Sequence, residues 1–222
     1  MDVKAVIFDF DETLADTLPG RAEPLRYVLS AHFGREFPTE EVLAIFSVAS
    51  NFEEQVAAFI NDADIVATIV REFRARYYRP ERGALPLYPG VRELLETING
   101  ASLPLALVTS RYRLMPDQDS AWGVLRELEQ LGLTDLFQAI VGYEDTKRHK
   151  PEPDPFEITV EQLRLMPENI IAVGDSLFDI RGARAAGLTT AAALWGAYDK
   201  VALLSARPDI LLEQPKDLLQ FI

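Results

Sequence analysis

The chain has 222 residues, with 22 Lys and Arg against 35 Asp and Glu, a formal charge of −13, and 48% hydrophobic and 26% charged residues. This is a globular composition that excludes extended disorder, and at about 100–200 residues per domain it leaves room for one large domain plus a smaller insertion. The acid excess repels phosphate backbones and anionic lipid, so neither nucleic acid nor a membrane is an expected partner. The absence of cysteine excludes disulfides, thiolate metal sites and a cysteine nucleophile.

The opening run Val3 to Phe8 is β-branched and almost continuously apolar, which predicts a strand buried on both faces of a parallel sheet. It ends in Asp9 and Asp11. With Asp2 and Lys4 also near the start, no signal-peptide pattern forms, and no apolar run approaches the roughly 20 residues of a spanning helix. A cytoplasmic location with no obligatory protein partner is expected. Residues 21–32, 39–47, 52–60 and 64–79 then carry helical patterns without a strand between them. In the last of these, Ile65, Val66, Ile69, Val70, Phe73 and Tyr77 fall on one stripe. Residues 18–83 therefore read as an all-helical insertion. Pro19-Gly20 before it and Gly83, Pro86 and Pro89-Gly90 after it have the punctuation of linkers and are expected hinges. Residues 1–17 and 84–222 form the remainder.

Beyond the insertion, helical segments at 91–98, 120–131, 155–163 and 176–186 alternate with strand-like runs at 103–108, 139–141, 170–173, 188–194 and 210–211, and a short helix at 215–221 closes the chain. Such alternation predicts an α/β fold with a doubly wound parallel sheet.

In open parallel sheets ligands bind beyond the carboxyl ends of the strands, so the polar residues that end the apolar runs are the candidate site. Asp9 and Asp11 fall on one face of an extended chain end. Two carboxylates so placed either bind a divalent cation or separate into a nucleophile and a proton donor, although alone they also read as a solvated strand end. Thr109 and Ser110 close the run 105–108, where hydroxyls and backbone N–H groups suit an anionic oxygen, or a helix cap. Lys150 is a cation in a proline-stiffened loop. Asp175 and Asp179 follow the run 170–173. Asp175 reads either as an N-cap or as a site acid facing Asp179 one turn on, and hard oxygen donors favour Mg²⁺ over zinc.

Taken together, these segments resemble the haloacid dehalogenase superfamily of phosphotransferases. Phe8-Asp9-Phe10-Asp11-Glu12-Thr13-Leu14, Val108-Thr109-Ser110, Lys150-Pro151 and Gly174-Asp175-Ser176-Leu177-Phe178-Asp179 are similar to its four motifs, in family order. The insertion resembles the helical cap of the phosphoglycolate phosphatase and β-phosphoglucomutase branch, and Tyr88-Pro89-Gly90-Val91 and residues 181–187 also match. The resemblance implies a Rossmann-like core and a Mg²⁺-dependent two-step phosphoryl transfer. In it Asp9 is nucleophile, Asp11 general acid and base, and Thr109, Ser110 and Lys150 hold phosphoryl oxygens. Asp9, the Asp11 backbone carbonyl and Asp175 hold the metal, with Asp179 at or just behind it.

The expected function is therefore phosphatase action on a small phosphorylated metabolite. A sugar-phosphate mutase is the nearest alternative, although residues 45–52 of the cap lack the Arg that mutases carry, and a non-catalytic protein retaining the fold is the second. Asp11 argues against a dehalogenase, and the lack of any Lys between Lys4 and Lys147 argues against a Schiff-base phosphonate hydrolase. Glu12 stands where the family often has Gly. Residues 111–118 make a connection longer than is usual for this branch, and Arg111 and Arg113 in it read either as substrate contacts or, the favoured reading, as part of a solvated loop. His32 and His149 read as exposed, Trp122 and Trp195 as core anchors, and Arg71, Arg74, Arg76, Arg79 and Arg82 as a solvated helix face.

Overall fold

The computed structural model describes residues 2–79, 82–115 and 122–222. The chain divides into two compact units, Met1–Asp16 with Pro86–Ile222, and Thr17–Leu85.

The discontinuous unit is built on six parallel strands, β1 (Ala5–Phe8), β2 (Leu105–Val108), β3 (Phe137–Val141), β4 (Ile170–Gly174), β5 (Thr189–Ala193) and β6 (Ile210–Leu212), in the spatial order β3-β2-β1-β4-β5-β6. Side chains alternate between the faces of a strand. Ile7, Ala106, Val108, Ile170 and Ala172 share one buried cluster with Phe156, Leu163 and Ala183 from flanking helices. The alternate residues Val6, Phe8, Leu105 and Leu107 are equally buried. Both faces are thus covered, which is why these strands are runs of apolar residues and show no polar alternation. β2 begins later than its apolar run suggests because Pro104 has no N–H for the ladder; its carbonyl still accepts from Val6 N–H at 3.0 Å.

Because β1 is central and in register with β2 and β4, pairing Phe8 with both Leu107 and Val173, the carboxyl ends of all three lie side by side. The strand order reverses direction at β1, the switch point where such sheets place their ligands. The crossovers use helices at Val91–Gly100, Val124–Leu131, Asp154–Leu163, Leu177–Ala185 and Lys200–Ser205. The last of these carries no clear apolar stripe and was not expected. Conversely, the expected closing helix is a 3-10 segment, Pro215–Gln220, and Ser120, the expected start of the second helix, lies outside the described residues.

The continuous unit consists of α1 (Leu18–Phe33), α2 (Thr39–Ile45), α3 (Phe52–Ala57) and α4 (Ala63–Tyr77) around its own core. Leu25, Val28 and Leu29 of α1 meet Val42, Ile45, Val56, Ile69, Val70, Phe73 and Tyr77. Pro19 and Gly20 do not form an irregular linker: both lie in the first turn of α1, where the N–H that proline lacks would have had no helical partner. The arginines near the end of α4 are largely engaged inside this unit. Arg74 pairs with Glu53, Arg76 lies 3.4 Å over the Tyr27 ring and Arg82 4.5 Å over Tyr77. Among the described residues no helix is long and apolar enough to cross a membrane.

Candidate active site

The site is organised around Lys150. Its ammonium donates to Asp9 Oδ1 at 2.7 Å, to Asp179 Oδ1 at 2.6 Å and to the carbonyl of Val108 at 2.8 Å, with only 3% of the side chain exposed. An ammonium has three donors, so each is matched to an acceptor. Burial works against its charge, but the Asp179 and Asp9 carboxylates outweigh that and hold Lys150 above the ordinary lysine value.

Asp9 follows β1, its N–H bonded to the Val173 carbonyl at 3.0 Å, and Asp175 follows β4. One carboxylate oxygen from each of Asp9, Asp175 and Asp179 lies within 4.8 Å of the others. Burial pushes Asp9 up to about 7, with Lys150 pulling the other way, and it pushes Asp175 well above the usual carboxylate range, reinforced by Asp179, Asp9 and Glu12. Three clustered carboxylates, Asp179 buried and Asp9 and Asp175 half-buried, are under-neutralised by one ammonium, and a hard divalent cation fits that donor set.

Asp175 is not the N-cap of the following helix. Ser176 takes that place, its Oγ accepting from Asp179 N–H, while Asp179 Oδ2 accepts from Ser176 N–H at 3.1 Å. The reciprocal box satisfies two backbone donors and leaves Asp179 Oδ1 for Lys150. Asp175 is steadied instead by Thr13, whose hydroxyl donates to it at 3.0 Å, and Thr13 in turn has its carbonyl held at 2.9 Å by the Trp195 indole. Trp195 is therefore a half-buried brace on the first motif, whereas Trp122 is fully buried.

At the end of β2, Thr109 is buried, its N–H bonded to Val141 and its Oγ1 accepting from Arg111 N–H at 3.2 Å; Ser110 beside it is half-buried. Asp11 lies apart from the three clustered acids. Both of its oxygens are gripped by Arg111, Nε to Oδ2 at 2.7 Å and Nη2 to Oδ1 at 2.5 Å. Arg111 is thus no residue of a solvated loop: its side chain is 9% exposed, and its Nη1 is 3.6 Å from the fully buried Glu127 carboxylate. Arg113 ties the same stretch to Glu144 and Asp145, while Pro116, Asp117 and Gln118 lie outside the described residues. His149 is half-buried, its ring stacked at 3.8 Å on Tyr143.

Glu12 has φ 57°, the left-handed region that disfavours any residue with a Cβ, which is the physical reason a glycine suits this position. Its carboxylate accepts from the Tyr88 hydroxyl at 2.5 Å. Burial, then Glu12, raises Tyr88 above the ordinary phenol value. A Cβ on Gly196 would overlap the Glu12 carbonyl, so that glycine lets two backbones meet.

Thr13, Tyr88 and Ser176 were not singled out by sequence reasoning as site residues, and Arg111 only as one of two readings of its loop. Only Ser176 carried a local signal, the spacing of a capping box with Asp179.

A doubly wound parallel sheet with its acids and lysine gathered at the switch point defines an α/β enzyme of Rossmann-like architecture. A family model described as Haloacid dehalogenase-like hydrolase matches residues 6–193, so the chain belongs to that family and is a hydrolase. It is 28% identical to the pyrophosphatase PpaX of Bacillus pumilus over 220 residues, covering 99% of this chain and 96% of that one. It is 30% identical to the phosphoglycolate phosphatase of Shigella boydii serotype 4, covering 98% and 92%. In fold it is similar to a haloacid dehalogenase-like hydrolase of Streptococcus pneumoniae, with TM-score 0.79, 24% identity and 99% and 98% coverage. It is also similar to CbbY of Rhodobacter sphaeroides in complex with phosphate, with TM-score 0.77, 23% identity and 97% and 96% coverage.

Proposed function

We propose that this hydrolase is a Mg²⁺-dependent phosphatase of small phosphorylated metabolites. The observation that carries the reading is the placement of Asp9, Asp175 and Asp179 within 4.8 Å of one another, two of them, Asp9 and Asp179, paired with a buried lysine, with a further acid, Asp11, two residues after Asp9.

In the first step a carboxylate oxygen of Asp9 attacks phosphorus, the ester P–O bond breaks, and the leaving oxygen takes a proton from Asp11. In the second, Asp11 takes a proton from water, the water oxygen bonds to phosphorus, and the P–O bond to Asp9 breaks, releasing inorganic phosphate and restoring the carboxylate. Lys150, pinned between Asp9 and Asp179, fixes the nucleophile and offsets its charge. Thr109 and Ser110, at the end of β2, supply hydroxyl and backbone donors for the phosphoryl oxygens. Mg²⁺, held by Asp9, the Asp11 carbonyl and Asp175 with Asp179 beside them, would neutralise the charge that otherwise repels a phosphate ester.

The curated relatives carry the names pyrophosphatase and phosphoglycolate phosphatase, which makes pyrophosphate and 2-phosphoglycolate the first substrates to test. Phosphate release from both, and from a panel of sugar phosphates and an aryl phosphate, is expected with Mg²⁺, to be lost in EDTA and to fall by at least about a thousandfold in Asp9→Asn. Undiminished turnover by Asp9→Asn would remove Asp9 as nucleophile. Conversion of a sugar phosphate to its isomer without phosphate release would favour the mutase.

A further inference from the structure

The arrangement of Asp11 does not suit its proposed role as it stands. A general acid must bring one carboxylate oxygen to the leaving oxygen, yet both oxygens of Asp11 are taken by the fork of Arg111, at 2.5 and 2.7 Å. A two-point guanidinium grip favours the ionised carboxylate and fixes its orientation. For Asp11 to work, the guanidinium must find another anion.

Arg111 is built to stay in place while doing so. Its backbone N–H is bonded to Thr109 Oγ1, its carbonyl accepts from Tyr143 N–H at 2.8 Å, and its Nη1 is 3.6 Å from Glu127, which is fully buried. Glu127 retains the guanidinium from behind while its other edge faces Asp11, which is 22% exposed and can be reached by a ligand. The planar fork matches a carboxylate and a phosphate equally well.

We infer that Arg111 is a specificity-determining residue that exchanges Asp11 for an anionic group on the leaving part of the substrate, and thereby releases Asp11 for proton transfer. Whichever Asp11 oxygen meets the bridging oxygen of the substrate lies within hydrogen-bond distance of Arg111, so the anion it reads lies two or three bonds from that bridging oxygen. The substrate class is a phosphoryl compound whose leaving group bears its own carboxylate or phosphoryl group at that distance. A neutral leaving group has nothing to offer the guanidinium and leaves Asp11 engaged. The inference rests on the phosphatase reading and adds to it the feature that ranks its substrates.

The test compares 2-phosphoglycolate and pyrophosphate with 2-hydroxyethyl phosphate, which replaces the carboxylate of the first by a neutral alcohol. Rates are measured with Mg²⁺ in the unmodified chain, Arg111→Gln and Arg111→Lys. In the unmodified chain kcat/KM for the two anionic substrates is expected to exceed that for the neutral one by about a hundredfold, the scale of a charge-assisted fork. Arg111→Gln is expected to bring that ratio below about tenfold, mostly through KM, and Arg111→Lys, which keeps the charge without the fork, to fall between. An equal loss on all three substrates would make Arg111 a structural support and overturn the proposal, as would an unchanged ratio.

Titration calorimetry of the same ligands into Asp9→Asn, with and without Arg111→Gln, reads the exchange without turnover. Selective weakening of 2-phosphoglycolate over 2-hydroxyethyl phosphate is expected, and equal weakening would overturn it. A chain that hydrolyses none of the three, nor any sugar or aryl phosphate of the panel, yet shows the selective weakening keeps the exchange and refutes the phosphatase reading. If Arg111→Gln fails to fold because Glu127 loses its cation, the Arg111→Lys ratio decides, and a ratio unchanged from the unmodified chain counts against the proposal.

Discussion

At the scale of single residues, Glu12 combines a cost and a gain that two substitutions can separate. Its left-handed backbone, φ 57°, costs a residue with a Cβ on the order of 1 kcal/mol, while its carboxylate gains the hydroxyl of Tyr88 at 2.5 Å. Both Glu12→Gly and Glu12→Ala lose the hydrogen bond, but only the glycine removes the backbone cost. Glu12→Gly is therefore expected to be more stable than Glu12→Ala by about 1 kcal/mol in urea unfolding. Equal stability of the two would show that the left-handed conformation carries no penalty here. Tyr88→Phe keeps the ring and removes the donor from a buried carboxylate, and about 1–2 kcal/mol of destabilisation is expected.

At the scale of elements, the sheet is held at its far edge by a polar clasp. Asp209, just before β6, accepts from the Thr190 N–H at 2.8 Å and from its hydroxyl at 2.6 Å, which ties the start of β5 to the strand beside it. Partial burial opposes the charge, but the Thr190 hydrogen bonds and Arg184 prevail and hold Asp209 below the usual carboxylate value. For an acid with a depressed native pKa the unfolded chain binds the proton first on acidification. The stabilisation is therefore complete above the unfolded value of about 4 and is lost as pH falls through the lower native value. Since half the side chain is exposed, it amounts to less than about 1 kcal/mol. The melting temperature of Asp209→Asn is expected below that of the unmodified chain at pH 7, with the gap closing by about pH 3. A gap that persists or widens in acid would mean that the charge is not what Thr190 and Arg184 stabilise.

The same scale shows where the sequence was legible. Strands β1, β2 and β4 are short apolar runs because both faces of the sheet are covered, and their ends fall at Asp9, Thr109 and Asp175, so placing polar residues at strand ends located those positions. What could not be read is pairing across long separations. Arg111 and Asp11 are 100 residues apart and Tyr88 and Glu12 are 76 apart, and each half of those pairs has an ordinary solvated reading until the fold brings it to its partner. Pro19-Gly20 misled for a local reason: proline and glycine mark turns, but a proline in the first turn of a helix marks its start.

At the scale of the whole chain, the acids proposed to hold Mg²⁺ all belong to one of the two units. Asp9, Asp175 and Asp179 lie in the unit formed by Met1–Asp16 and Pro86–Ile222, whereas α1 to α4 form a separate core of their own. A ligand stabilises what must be folded to bind it, by about 2.7 kcal/mol at a hundred times its dissociation constant. Binding of Mg²⁺ in that unit would therefore slow the opening of β1, β4 and the helix Leu177–Ala185, which carry or precede the carboxylates, and of β2, which lies in register beside β1. The helices of the other unit hold none of the ligands. Hydrogen exchange with and without Mg²⁺ is expected to show added protection at residues 5–11, 105–109 and 170–180, and little change through α1 to α4. In Asp175→Asn the added protection is expected to be lost at the same residues. Protection gained evenly over both units would mean that the cation acts as a general salt and that the carboxylates around Lys150 are not its site.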